Sequence, residues 1–137
     1  MLLRGLTPSA TEAVQDLPET LASLGDVLYR LGRNDEAVEC GESALIVIED
    51  LLEQNPRHVP SRLVKTNVLI QIGHVHLRSA RIEEAHAVLL EGLALNDALR
   101  EEVPELVRVL DQRVTLMFNL NGVLHTLERF DEAADLA

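Results

Sequence analysis

Apolar residues recur along this chain at the spacing that places them on one face of a helix. Almost no segment is rich in β-favouring residues, and every long window has a helical period. Two consecutive stretches show the pattern most clearly: Leu21, Leu24, Leu28 and Leu31, followed by Ala37, Cys40, Ala44, Leu45, Ile48 and Leu52. The pattern predicts an all-α fold in which one helix is followed, after a tight turn, by a second helix.

The same arrangement returns twice at a fixed distance. Residues 31–37 resemble residues 79–85 and 127–133, and Ala37, Ala85 and Ala133 are separated by two equal steps of 48 residues. Equal steps of this size indicate an internal repeat. We expect three units within a single domain spanning residues 1–137, at roughly residues 18–55, 60–100 and 104–137.

Proline, asparagine and glycine place the expected turns. A short helix from about Thr11 should end at Pro18, where the first helix of the first unit begins. Asn55 and Pro56 form a stop signal, because the residue before proline avoids the helical region. We therefore expect turns near residues 32–34, 55–60, 79–81, 100–104 and 128–130, with a last short helix from Phe130.

The matching positions resemble the tetratricopeptide repeat. They are Leu24, Gly25, Leu28, Ala37 and Ala44 in the first unit, Ile72, Gly73, Ala85 and Gly92 in the second, and Leu120, Leu124 and Ala133 in the third. Asn121 stands where the third glycine belongs. The usual unit has about 34 residues, so this one is similar to the long-helix variant in kinesin-light-chain-type repeats and bacterial signalling proteins. The resemblance implies antiparallel helix pairs forming a right-handed α-solenoid of about two and a half repeats.

The glycines inside the predicted helices need a reason, since glycine costs about 1 kcal/mol relative to alanine in a helix interior. Small residues that face each other let two backbones approach closely. We therefore expect Gly25 to lie against Ala37, and Gly73 to lie against Ala85, where the two helices of each unit cross.

Charge narrows the class of partner. The chain carries 12 Lys and Arg against 23 Asp and Glu, a net charge of −11, which argues against nucleic acid and anionic membranes. It has three aromatic residues and one cysteine, Cys40, which we expect to be a buried thiol on the apolar face of its helix. No apolar run approaches the roughly 18 residues of a membrane span. A cytoplasmic protein fits these observations.

No motif for catalysis, metal or cofactor binding stands out. His74 and His76 are two residues apart on a predicted helix and point to different faces, so they do not chelate one ion together. The glycines occur singly, and no phosphate-binding loop is present. We expect no catalytic residue, metal site or cofactor. An enzyme or ligand-sensing domain that uses His74, His76 or His86 is the weakest of the alternatives.

A protein or peptide is the expected partner. In the resembled family the first helix of each unit lines a concave wall, and those positions carry amides, two arginines and two histidines, with one acid. An extended peptide would be held by amides that bond its backbone and by arginine pairing a carboxylate, in a groove that is near neutral or mildly basic. The residues are Asp26, Tyr29, Arg30, Asn67, Gln71, His74, Arg78, Phe118, Asn119 and His125.

Self-association is the alternative function. The first helix of the third unit is the longest and most apolar, and the short helix expected after it covers little of it. The stripe Val107, Leu110, Val114 and Met117 then marks an interface. A homodimer formed by twofold pairing of this helix would cover it, and a repeat missing downstream is the rival explanation.

Overall fold

The computed structural model describes residues 8–136, and the side chains of residues 17–129 and 131. This part of the chain forms five helices and no strand: α1 (Pro8–Arg30), α2 (Asn34–Gln54), α3 (Val59–Arg78), α4 (Ile82–Glu102) and α5 (Val107–Leu136). The predicted all-α class is therefore confirmed. Across the same residues, none of the helices combines the length and the apolar character needed to cross a membrane.

The helices pack in two layers. Helices α1, α3 and α5 lie side by side in one layer. Helix α2 packs against α1 and α3, and α4 packs against α3 and α5. Helix α3 is therefore surrounded on both sides, and ten of its residues are buried.

Two of the turns are alike and lie 48 residues apart. Gly32 and Ala80 both have positive φ, at 79° and 61°. In each turn the amide of the following arginine, Arg33 or Arg81, donates to a carbonyl five residues earlier at 2.8 Å, which caps the preceding helix. The turns also touch, because Asn34 Nδ2 donates to Ser79 Oγ at 2.9 Å and Arg81 pairs with Asp35 at 3.1 Å.

The third turn of this kind does not form. The prediction of a turn at residues 128–130, and of a new helix from Phe130, was wrong, because α5 continues through these residues. Glu128 occupies the position of Gly32 and Ala80, and glutamate strongly prefers the right-handed helical region to positive φ. The side chain of Phe130 lies outside the described residues.

Pro18 does not break the first helix either. Helix α1 runs from Pro8 through Pro18 to Arg30. An internal proline removes one hydrogen bond and typically costs about 3 kcal/mol. Pro18 is fully buried and borders the same small cavity as Ile48, Leu51 and Val64, so burial of its ring offsets part of that cost.

Small residues sit where the helix pairs cross. Ala37, Ala44 and Ala85 are buried, and a Cβ built on Gly25 would lie 3.3 Å from the Ala37 carbonyl oxygen, as expected. Gly73 was assigned the wrong neighbour. A Cβ on Gly73 would lie 2.6 Å from the side chain of Leu89, one helical turn beyond Ala85.

Candidate functional site

An open groove of about 820 Å³ runs across the layer formed by α1, α3 and α5. All three helices contribute, so the groove depends on packing between segments far apart in sequence. Its lining is Glu19, Ala22, Ser23, Asp26 and Val27 from α1, Val64, Asn67, Ile70, Gln71 and His74 from α3, and Arg108, Thr115 and Asn119 from α5. Five of the ten residues predicted to bind a partner are in this set: Asp26, Asn67, Gln71, His74 and Asn119.

The amides in the centre of the groove are mostly engaged within the protein. Gln71 Nε2 donates to the Ala22 carbonyl at 2.8 Å, which ties α3 to α1. Asn119 donates to the Thr115 carbonyl and its Oδ1 lies 3.2 Å from His74 Nδ1. Asn67 is exposed and makes no hydrogen bond within the described part of the chain. Of the three amides, Asn67 therefore has the most free capacity to bind a peptide backbone.

Tyr29 supports the site from beside the groove. Its ring lies edge-on to the His74 imidazole, with the ring centroids 5.4 Å apart. Together with the Asn119 contact, this fixes the orientation of His74, a histidine that borders the groove. Tyr29 therefore acts as a positioning residue and not as part of the groove lining.

The two predicted arginines are outside the groove lining. Arg30 is 76% exposed and forms an ion pair with Asp26 at 3.0 Å, so its charge is largely neutralised by a groove residue. Arg78, Phe118 and His125 are exposed and do not line the groove. Phe118 corresponds to Ile70 of α3 by the 48-residue step, and Ile70 is in the same buried cluster as Leu116 of α5. The side of α3 that faces α5 therefore corresponds to the side of α5 that faces away from α3, and Phe118 lies on that side.

Arg108 was missed by the sequence analysis. It is exposed, lines the groove and makes no ion pair with any described residue. The signal was present, because Arg108 lies seven residues before Thr115 and so on the same helical face. The charged lining residues are Glu19, Asp26 and Arg108. With Arg30 paired with Asp26, the groove is near neutral, which is one of the two alternatives expected from the sequence.

Polar side chains hold α5 in place as the far wall. Gln112 Nε2 donates to the Leu63 carbonyl of α3, and Asn96 Nδ2 of α4 donates to the Val109 carbonyl, each at 2.9 Å. Both donors are buried. The part of α5 near Arg108 is therefore hydrogen-bonded to both α3 and α4.

The opposite face of α5 is exposed and apolar. Its six large side chains, here called the outer α5 face, are Val107, Leu110, Val114, Met117, Phe118 and Leu124, and each is at least 43% exposed. This set includes the four residues predicted for self-association. No described helix packs on it.

Among its described lining residues, the groove offers hydrogen-bonding groups and one unpaired cation, Arg108. Among the described side chains, no three His, Cys, Asp or Glu residues lie close enough together to hold a metal ion. Cys40 is a partly buried thiol packed against the core beside α1, less enclosed than predicted. The chain matches no family model, no curated protein and no solved structure.

Proposed function

We propose that this protein is a non-catalytic interaction module that binds an extended peptide or a protein segment in the groove between α1, α3 and α5. The observation that carries the proposal is the groove of about 820 Å³, with one unengaged polar group on its central helix and another on its α5 wall. Asn67 can bond to a peptide backbone, and Arg108 can pair with a carboxylate. The apolar side chains of Ala22, Val64 and Ile70 also line the groove.

The distribution of charge supports a protein partner. Helix α2 carries seven acidic residues and no base, and α4 carries six acids and one base. Helix α3, at the centre of the groove layer, has three bases and no acid. The acidic surface is therefore concentrated on the layer away from the groove, where it does not repel a neutral or weakly acidic segment bound near Arg108.

We also propose that the five helices are part of a tetratricopeptide-like, right-handed α-solenoid, in a protein of the cytoplasm. The two alike turns, 48 residues apart, support this architecture, and so does the two-layer packing. In such an array the inner layer forms an extended concave surface suited to binding. The groove occupies that layer.

Charge reversal tests the groove. Peptides selected from a random library on the intact chain should bind the variant Arg108→Glu at least about 10-fold more weakly, because a charge-assisted contact becomes repulsive. The variant Asn67→Ala should also bind these peptides more weakly. Arg100→Glu is the matched control, since Arg100 is exposed on α4 and away from the groove. Titration calorimetry that gives equal affinities for all three variants would contradict the proposal.

Self-association is a second candidate function, favoured by the outer α5 face. An exposed apolar surface of this size on one helix is typical of an interface. The chain would then serve as a structural scaffold, with or without a ligand in its groove. Sedimentation velocity separates the two functions, because a purely structural scaffold forms dimers and selects no peptide.

A further inference from the structure

The outer α5 face is a large exposed apolar surface. Val114 is 70% exposed and Phe118 is 77% exposed. The six side chains together expose on the order of 600 Å² of apolar surface, at the upper end of what a monomer typically leaves uncovered. Pairing two such faces would remove on the order of 1,200 Å² from water, which reaches the range of specific interfaces.

The equivalent positions on α3 are covered by a helix. Moving back 48 residues from Val107, Leu110, Val114, Met117, Asn121 and Leu124 gives Val59, Arg62, Thr66, Leu69, Gly73 and His76. Thr66 and Leu69 are almost completely buried, and Gly73 lies against Leu89 of α4. Side chains at these register positions can therefore pack against a helix.

One position shows that the partner of α5 differs from α4. Gly25 and Gly73 allow α2 and α4 to approach closely, and the third residue of this series is Asn121. An asparagine amide in an apolar interface needs a polar partner, because burying it without one is unfavourable. A second asparagine, directly opposite Asn121 on the partner helix, satisfies this amide.

The residues of α5 in this register, including Asn121, follow a heptad repeat. Val107, Val114 and Asn121 are spaced by seven, and so are Leu110, Met117 and Leu124, three residues further on. In heptad notation these are a and d positions. Valine at a, leucine at d and a single asparagine at a favour two parallel strands in fixed register.

We propose that the outer α5 face binds the same face of a second copy of this chain, with the two α5 helices parallel and in register. This rests on the proposed self-association and adds its geometry. Asn121 then faces Asn121 of the second copy. The seam ends at Glu128, the next a position, where two like charges would meet.

Charge does not oppose this pairing. Between residues 107 and 127, α5 carries Arg108, Asp111 and Arg113 as its charged residues, although the chain as a whole has a net charge of −11. Arg113 is already paired with Asp97 of α4. The most acidic helix, α2, packs on α1 and α3 and does not touch α5. The seam itself is therefore close to neutral, so repulsion within it is weak, although α4, which packs on α5, carries six acids and one base.

Sedimentation equilibrium of the intact chain tests the pairing. The chain should have twice the monomer mass at about 50 µM, and Val114→Glu should weaken the dimer at least 10-fold. Because Val114 is exposed in the single chain, the variant should keep its helical circular dichroism. A monomer at that concentration overturns both self-association and this inference. A mass that keeps rising with concentration overturns this inference alone, since head-to-tail association is open-ended and a twofold pair is closed.

Cross-linking tests the direction of the helices. In a Cys40→Ala background, Leu110→Cys and Leu124→Cys should each oxidise to covalent dimers, because d positions face each other in a parallel pair within disulfide reach. Ala94→Cys, exposed on α4, is the control that should stay monomeric. An antiparallel pair would separate the two copies of residue 110 by roughly 16 Å. A dimer that does not cross-link at either position overturns the parallel arrangement and leaves self-association standing.

Discussion

Helices α3 and α5 show the same register in different surroundings. The face of α3 that α4 covers includes Arg62, Thr66 and His76. The matching residues of α5 are Leu110, Val114 and Leu124, and all three are exposed. The more apolar of the two faces is thus the one without a cover. Two of the polar side chains on α3 have partners, since Glu102 of α4 pairs with Arg62 and Thr66 donates to the Arg62 carbonyl of its own helix. No described group packs on the matching residues of α5, so a new partner would contact an apolar surface there.

The largest expected effect on stability comes from placing a side chain at the glycine position of α3, and the same substitution at its α5 counterpart is the control. Gly73→Leu should lower the free energy of unfolding by about 1–3 kcal/mol, because even its Cβ would lie 2.6 Å from Leu89. Asn121→Leu should change it by under about 0.5 kcal/mol in dilute protein, since Asn121 is exposed. Urea denaturation measures both.

A double variant identifies the neighbour of Gly73. If Leu89 is the contact, Leu89→Ala should recover part of the loss caused by Gly73→Leu, with a coupling free energy above about 0.5 kcal/mol. Ala85→Gly should recover less. Equal stabilities for Gly73→Leu and the parent chain would show that α3 and α4 do not approach closely at this point.

The next effect in size concerns the repeated turn and its missing third copy. Ala80 has a φ of 61°, a conformation that costs alanine roughly 1–2 kcal/mol. Ala80→Gly should raise the free energy of unfolding by about 0.5–1 kcal/mol, after the greater entropy of glycine in the unfolded chain is subtracted. Glu128→Gly should lower it by a similar amount, about 0.5–1 kcal/mol, because Glu128 is inside a helix.

Opposite signs at residues 80 and 128 would separate two positions that the repeat pattern treats as equivalent. Thermal melts of both variants, and of Gly32→Ala as a third variant, measure the signs of these stability changes. Gly32 has positive φ, so Gly32→Ala should destabilise the chain. If Glu128→Gly stabilises instead, a turn forms at residue 128 in solution, and α5 is not continuous.

The sequence was informative where local chemistry repeats. The 48-residue step predicted turns near residues 32–34 and 79–81, which the structure has at 31–33 and 79–81, and small residues at Ala37 and Ala85, which are buried. These features depend on residues within one helix pair, and the same residues recur in the next pair. Half of the predicted partner-binding set lines the groove, although the groove itself depends on packing between distant segments.

The failures depend on contacts between distant segments. Nothing near Gln71 in sequence indicates that its amide bonds to Ala22, 49 residues away. Pro18 continues a helix in a buried setting that α2 and α3 help to form, and the leucine opposite Gly73 depends on how α4 is rotated. The break predicted at residues 128–130 relied on the repeat pattern, although Glu128 is a residue that favours a helix over a turn.

The smallest expected effect is a change in the pH dependence of stability at one position of the same register. His76 of α3 stands where α1 has Leu28 and α5 has Leu124. Its Nδ1 is buried with no hydrogen-bond partner in the described chain. Burial lowers the pKa of His76 below its ordinary value of 6.5, Arg81 lowers it further, and Glu84 and Glu42 partly oppose the shift.

A histidine whose pKa is lower in the folded state binds its proton more readily in the unfolded chain. Its contribution to stability is therefore complete above pH 6.5 and is lost as the pH falls below that value. We expect the free energy of unfolding to decrease between about pH 7.5 and about pH 5.5, and His76→Leu to make that decrease smaller. Glu102 does not interfere, because the hydrogen bond from Arg62 lowers its pKa from 4.5 and places its effect at more acidic pH.

His125→Leu is the matched control, since His125 is exposed on α5 and the chemical change is the same. Urea denaturation of the parent chain and both variants at the two pH values gives the slopes. Parallel slopes for the parent and His76→Leu would show that the imidazole is as accessible in the folded chain as in the unfolded one. In that case α4 does not cover the end of α3, and α3 and α5 would be more alike at this position than their burial indicates.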